Sequence, residues 1–157
     1  MKKADVPPLI QRELQAEVLA PVFEVLTGRL GRDQALAVIE EAMARAAFEA
    51  GQRAASLAPG GPSLEHFAEC MQALAMGGKG LQIHDMRINS KQLTYEVSRC
   101  AYLERYAEMG LPRELGFAMS CARDGAFARG YHAGLSMERP ACIGRGDSRC
   151  EFRFIWA

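Results

Sequence analysis

The apolar residues of this chain change period three times, and that limits its architecture more than any single motif does. From Leu9 to about Leu26 they recur at helical spacing (Leu14, Val18, Val22, Val25), with Pro7 and Pro8 where a first helical turn tolerates proline. Gly28 and Gly31 in "GRLGRDQ" interrupt the pattern, and Asp33 is placed to cap a second helix through "ALAVIEEAMARAAFEAGQRAA". Its many alanines suit close helix packing. "APGGPS" ends it, and Ser63 with His66 in place of a glutamate makes half a capping box ahead of a third helix, "LEHFAECMQALAM". Beyond "GGKG" the period becomes two: "LQIHDMRI", "NSK" and "QLTYEVSRC" read as strand, turn and strand. Helical spacing returns in "AYLERYAEMG", closes at Gly110 and restarts after Pro112 as "RELGFAMSCARDGAFARG". The chain then goes back to strands, with "AGLSMERPACI" and "RCEFRFIW" forming a second hairpin around "GRGDS" and Pro140 suited to an edge or bulge.

The order α-α-α-β-β-α-α-β-β, with strands in hairpins rather than separated by single crossover helices, predicts an α+β fold. N-terminal helices pack with a small antiparallel sheet made of two hairpins separated by two helices. At 157 residues the chain fits a single domain, 1–157. Residues 1–78 form its helical half, and 79–157 carry the candidate site. Nineteen basic and nineteen acidic residues cancel, which removes any global field for nucleic acid or an anionic membrane. No window approaches the roughly 18 apolar residues of a membrane span, and the two lysines of "MKKADVPPLIQREL" precede no apolar run. The expectation is a soluble, cytoplasmic protein. "GRGDS" precedes a strand rather than a helix, so its amides turn a hairpin and do not cradle a phosphate.

Five cysteines, an odd number without an export signal, read as reduced thiols. Cys121 and Asp124 stand three apart on one helix, so thiol and carboxylate reach one small volume. Cys100 ends a strand and precedes a helix, where amides at a helix N-terminus lower a thiol pKa. In the last strand Cys150 shares a face with Phe152, Phe154 and Trp156 and points to the core or a pocket beside it. Cys142 has the parity of Ser136, Glu138 and Pro140, which places it on the polar face. Cys70, between Phe67 and Leu74, reads as a small core filler.

The stretches "YEVSRCAYLERYAEMG", "SCARD" and "GDSRCEFRF" resemble the L-2-amino-thiazoline-4-carboxylic acid hydrolase family. Its pattern, a cysteine closing a strand, a C-x-x-D helix and a final G-D-x-x-C-x-F strand, falls on Cys100, on Cys121 with Asp124, and on Gly146, Asp147, Cys150 and Phe152. The resemblance covers about Tyr95 to Phe154. It implies a hydrolase that opens a small sulfur- and nitrogen-containing ring, with Cys121, Asp124, Cys100 and Cys150 as its site residues. "GDSRCEFRF" is also similar to the terminal hairpin of vinyl-reductase-type small-molecule-binding domains, which need not be enzymes.

Ring opening asks for attack at the amidine carbon and departure of the ring sulfur. A thiolate from Cys121 or Cys100 adds to that carbon, and Asp124 protonates the leaving group and then activates water. Cys121 is favoured because helix geometry supplies its carboxylate partner. No cofactor is called for. A competing reading gathers Cys100, Cys121, Cys150 and Asp124 around zinc or another thiophilic metal, without motif support. His132 is a further candidate base, while His66 and His84 read as satisfied or surface groups. Arg99, Arg123 and Arg139 are candidates for a substrate carboxylate or solvated charges, and Tyr95, Tyr102, Phe117 and Phe127 for a pocket wall. A small-molecule substrate is the expected partner. The alternative class is a non-catalytic ligand-binding or thiol-sensing module, which would not need Asp124. A third, an interaction module, would form a homo-oligomer through the alanine-rich N-terminal helices.

Overall fold

The structure, a computed structural model, describes residues 5–157, so the N-terminal lysines lie outside it. Helices α1 (Pro8–Leu30), α2 (Arg32–Ser56) and α3 (Leu64–Ala75) precede strands β1 (Leu81–Ile88) and β2 (Gln92–Cys100). Then come α4 (Ala101–Glu108), the single turn α5 (Arg113–Gly116), α6 (Arg123–Tyr131), and strands β3 (Leu135–Glu138) and β4 (Cys150–Trp156). The strands make one antiparallel sheet of order β1-β2-β4-β3. The α+β reading and both strand pairs hold.

Local details differ from the sequence reading. Gly31, not Asp33, occupies the cap position of α2, and Asp33 sits inside its first turn, where a carboxylate still favours the helix dipole. The residues that marked α1 as helical, Leu14, Val18, Val22 and Val25, lie exposed on its outer side. The buried side carries Ala16 and Phe23, with Leu19 and Leu26 packed beside them, because α1 is apolar on two faces and only one meets the body. Ser63 does cap α3, its Oγ accepting from the His66 amide at 3.1 Å.

The second strand pair is no tight hairpin. β3 stops at Glu138, before Pro140, which cannot donate to a ladder. The chain then curls through a short 3-10 turn, Ile143–Arg145, before β4 begins. The Cys142 amide donates to Asp147 Oδ2 at 2.8 Å and the Ile143 amide to the Cys150 sulfur at 3.2 Å, and these bonds turn Cys142 inward. It is fully buried rather than on the polar face, since strand parity does not extend past the strand.

Two apolar clusters hold the fold. One lies between the sheet and α3/α6 and includes Phe67, Leu93, Val97, Tyr131, Leu135 and Phe154; the other joins α1 and α2 to Tyr106, Leu115 and Met119. Phe67, with no exposed surface, meets Tyr131 and Phe154 edge to face at ring separations of 5.1 and 4.9 Å, and its truncation to alanine would cost about 3–5 kcal/mol. α2 and α6 touch backbone to backbone. A Cβ on Gly51 would strike the Phe127 carbonyl, and one on Gly130 the Phe48 carbonyl, so these two glycines set the distance between the helices.

Candidate functional site

The helix carrying the C-x-x-D element is not continuous. Between α5 and α6, Phe117–Cys121 winds as a π-turn, with the Ala122 amide donating to the Phe117 carbonyl at 3.0 Å. Such turns recur at functional sites because they re-aim side chains within a helix. Here the turn delivers Ser120 and Cys121, and the first turn of α6 delivers Arg123 and Asp124, to one cavity of about 240 Å³. Tyr95, Val97 and Cys100 from β2 and Cys150 and Phe152 from β4 floor it. Met71, Leu74, Tyr102 and Phe127 add apolar wall, and Arg12 reaches it from α1. A cavity this small, lined by apolar groups with a few polar ones, suits a single small ring rather than a drug-sized ligand.

All four sequence-designated residues, Cys100, Cys121, Asp124 and Cys150, line this cavity. They do not act alike. Cys121 and Cys150 are both buried and both hydrogen-bond through sulfur to Cys142, which sequence reasoning had set aside. Those two bonds, with Arg139 nearby, push the Cys142 thiol strongly down despite its burial. The same bonds, with burial, push Cys121 and Cys150 up. Of the three clustered thiols, Cys142 is thus the one most readily ionised. Gly144 leaves room for this packing, since a Cβ there would stand 2.5 Å from the Cys121 sulfur.

Burial raises the Asp124 carboxyl to about 6, the nearby Arg139 guanidinium limiting the rise. Arg139 Nη1 donates to Asp124 Oδ2 at 2.6 Å and to the Cys121 carbonyl at 3.0 Å, fixing the carboxylate beside the π-turn. The Arg139 side chain is 5 % exposed and its guanidinium lies 5.7 and 5.5 Å from the Phe117 and Phe152 rings. Phe117 therefore backs Arg139 and does not line the cavity, unlike Tyr95, Tyr102 and Phe127.

At the β2/α4 junction, burial raises the Cys100 thiol, and the amides of Leu103 and Tyr102 only temper it. The expected lowering by the helix N-terminus is overridden, so Cys100 rests as a thiol. Cys70 is half-buried against the first cluster and outside the cavity. Among the described residues, no group of three or more His, Cys, Asp or Glu side chains is placed to hold a metal ion, which leaves the four-residue ligand set without the geometry it needs.

The remaining candidates are committed elsewhere. His132 stacks on Trp156 at 4.2 Å and its Nδ1 accepts from the Gly134 amide. A ring nitrogen of His66 bonds the Tyr131 hydroxyl at 2.9 Å, and one of His84 bonds Ser98 Oγ at 2.7 Å on the exposed side of the sheet. Arg99 pairs with Glu104.

No curated protein sequence matches the chain. Its fold is similar to the phenol-responsive sensory domain of the transcription activator PoxR, solved with phenol, at 15 % identity and a TM-score of 0.52 over 90 % of this chain and 73 % of that one. It is also similar to trafficking protein particle complex subunit 3 from Naegleria fowleri, covalently bound to palmitic acid, at 15 % identity and a TM-score of 0.56 over 94 % and 96 %. No helix among the described residues is long and apolar enough to cross a membrane. A model of the L-2-amino-thiazoline-4-carboxylic acid hydrolases matches residues 11–154, a span that takes in most of α1, all of α2 and α3, and every cavity residue from Arg12 to Phe152, and the chain belongs to that family.

Proposed function

We propose that this protein hydrolyses a small heterocycle containing sulfur and nitrogen, such as L-2-amino-thiazoline-4-carboxylate, with Cys121 as nucleophile and Asp124 as acid and base. The observation that carries this reading is the pairing of Cys121 and Asp124 one turn apart on a single cavity, with the Cys121 thiol bonded to the Cys142 sulfur behind it. The Cys121 proton passes to Cys142 as the Cys121 sulfur adds to the amidine carbon. The ring C–S bond then breaks, and protonated Asp124 gives its proton to the departing sulfur. Asp124, now a carboxylate, takes a proton from water as the water oxygen attacks the same carbon. The bond to Cys121 breaks, its sulfur recovers a proton from Cys142, and the product carries a urea and a free thiol.

Incubation of the reduced protein with L-2-amino-thiazoline-4-carboxylate, scored for new free thiol against Cys121→Ala, tests this directly. Release by the wild type and its loss in the variant are expected. A folded wild type that releases nothing rejects this substrate.

The likeness to a phenol-responsive sensory domain favours one second reading, a non-catalytic module that binds a small molecule in the same cavity. Asp124→Asn separates the two. A binding module keeps its affinity, while the hydrolase keeps affinity and loses turnover.

A further inference from the structure

The cavity holds three guanidiniums, from Arg12, Arg123 and Arg139, against the single carboxylate of Asp124. Arg139 is already bound to that carboxylate. The other two have no such partner: Arg123 Nη1 faces the Met43 sulfur at 3.6 Å, and Arg12 Nη1 donates to Gln15 Oε1 at 3.0 Å. Among the described residues neither makes a salt bridge. Both are half-buried, and burial with the neighbouring Arg12 charge draws Arg123 down to about 10. An anion beside Arg123 would relieve both its burial and its repulsion from the Arg12 charge. A third unmet donor stands on the same wall, the buried Nε–H of Arg139, which has no acceptor.

From this geometry we infer that Arg12 and Arg123 form an anion clamp that seats the carboxylate of a small ligand across from Cys121, with Arg139 Nε as a third donor. The inference rests on the proposed site and assigns its specificity. It selects Arg123 from the sequence candidates, removes Arg99, which is paired with Glu104, and adds a residue from α1. A planar guanidinium pair favours a carboxylate over a neutral amide of the same shape. The N-terminal helix is then part of the binding site.

Alkylation of Cys121 by iodoacetate and by iodoacetamide tests the clamp without requiring turnover. Each reagent loses iodide and forms the same C–S bond, so the ratio of their rates, read by peptide mass spectrometry, reports only the carboxylate. A preference for iodoacetate is expected in the wild type, falling about tenfold in Arg123→Gln and in Arg12→Gln and holding in Arg99→Gln. The dissociation constants of L-2-amino-thiazoline-4-carboxylate and its carboxamide should diverge in the wild type and converge in the same two variants. Ratios that neither Arg12→Gln nor Arg123→Gln moves, or no carboxylate preference in the wild type by either measure, overturn the clamp. A protein that shows the preference but never releases thiol keeps the clamp and loses the hydrolase.

Discussion

On the outer face of the sheet, Arg149 lies between Glu96 and Glu151 and Arg153 pairs with Glu138, at 3.6, 2.6 and 2.9 Å. On the inner face three arginines line one cavity whose single carboxylate is Asp124. The outer face also has a hollow, which is more open to solvent than the inner cavity. The ion pairs of that face are at least a third exposed, so each contributes only about 0–1 kcal/mol. On the inner face Arg139 is 5 % exposed and its Nε–H has no acceptor, and a buried unmet donor is expensive. The depth to which charge is buried therefore distinguishes the two faces.

Substitutions on the two faces should diverge accordingly. Cys121→Ala should remove turnover by at least about a thousandfold while leaving the fold intact, because a buried thiol becomes a smaller apolar group. Activity that survives it moves the nucleophile to Cys100 or Cys150. Asp124→Asn should cost turnover about a hundredfold or more with affinity nearly unchanged, since the amide neither gives nor takes the proton. The pH dependence sharpens this prediction. In the proposed mechanism Asp124 protonates ring sulfur only below its raised pKa, so the rate of ring opening should fall as pH climbs through about 6, and that limb should be absent from the asparagine variant. Stability follows the same sign. Asp124 favours the fold most below the ordinary carboxylate range, and this advantage fades as pH rises to about 6.

Smaller effects test the supports of the site. Gly144→Ala would press a methyl onto the Cys121 sulfur and should lower stability by about 1–3 kcal/mol, read by chemical denaturation, with the Cys121 alkylation rate altered as well. At the bottom of the range, Arg153→Gln on the outer face should change stability by less than about 0.5 kcal/mol and turnover not at all. A large effect there would erase the contrast between the faces.

Much of this organisation could be read from the chain itself. The switch in apolar period located each strand, and the i, i+3 spacing of Cys121 and Asp124 put thiol and carboxylate on one cavity. What escaped the sequence depends on long-range contact. Cys142 lies in a loop held by Asp147 and Cys150, where neither helical nor strand parity applies. The π-turn leaves no periodic trace in five residues of "FAMSC". Arg12 sits on a helix whose outward stripe is as apolar as its inward one, so its direction follows from packing alone. The Cys100 environment was misjudged because burial outweighs a helix N-terminus, and burial has no local signature.

The close meeting of α2 and α6 at Gly51 and Gly130 also bears on how this scaffold can diversify. With backbone already against backbone, the helix bearing Arg123 and Asp124 has no side chain to trim that would let it approach α2, and no slack to retreat while the contact lasts. New ligands must be accommodated by changing what fills the cavity, at Met71, Leu74 or Phe127, while Arg123 and Asp124 keep their positions. The two glycines thus separate change in what the cavity admits from change in the groups that α6 presents to it.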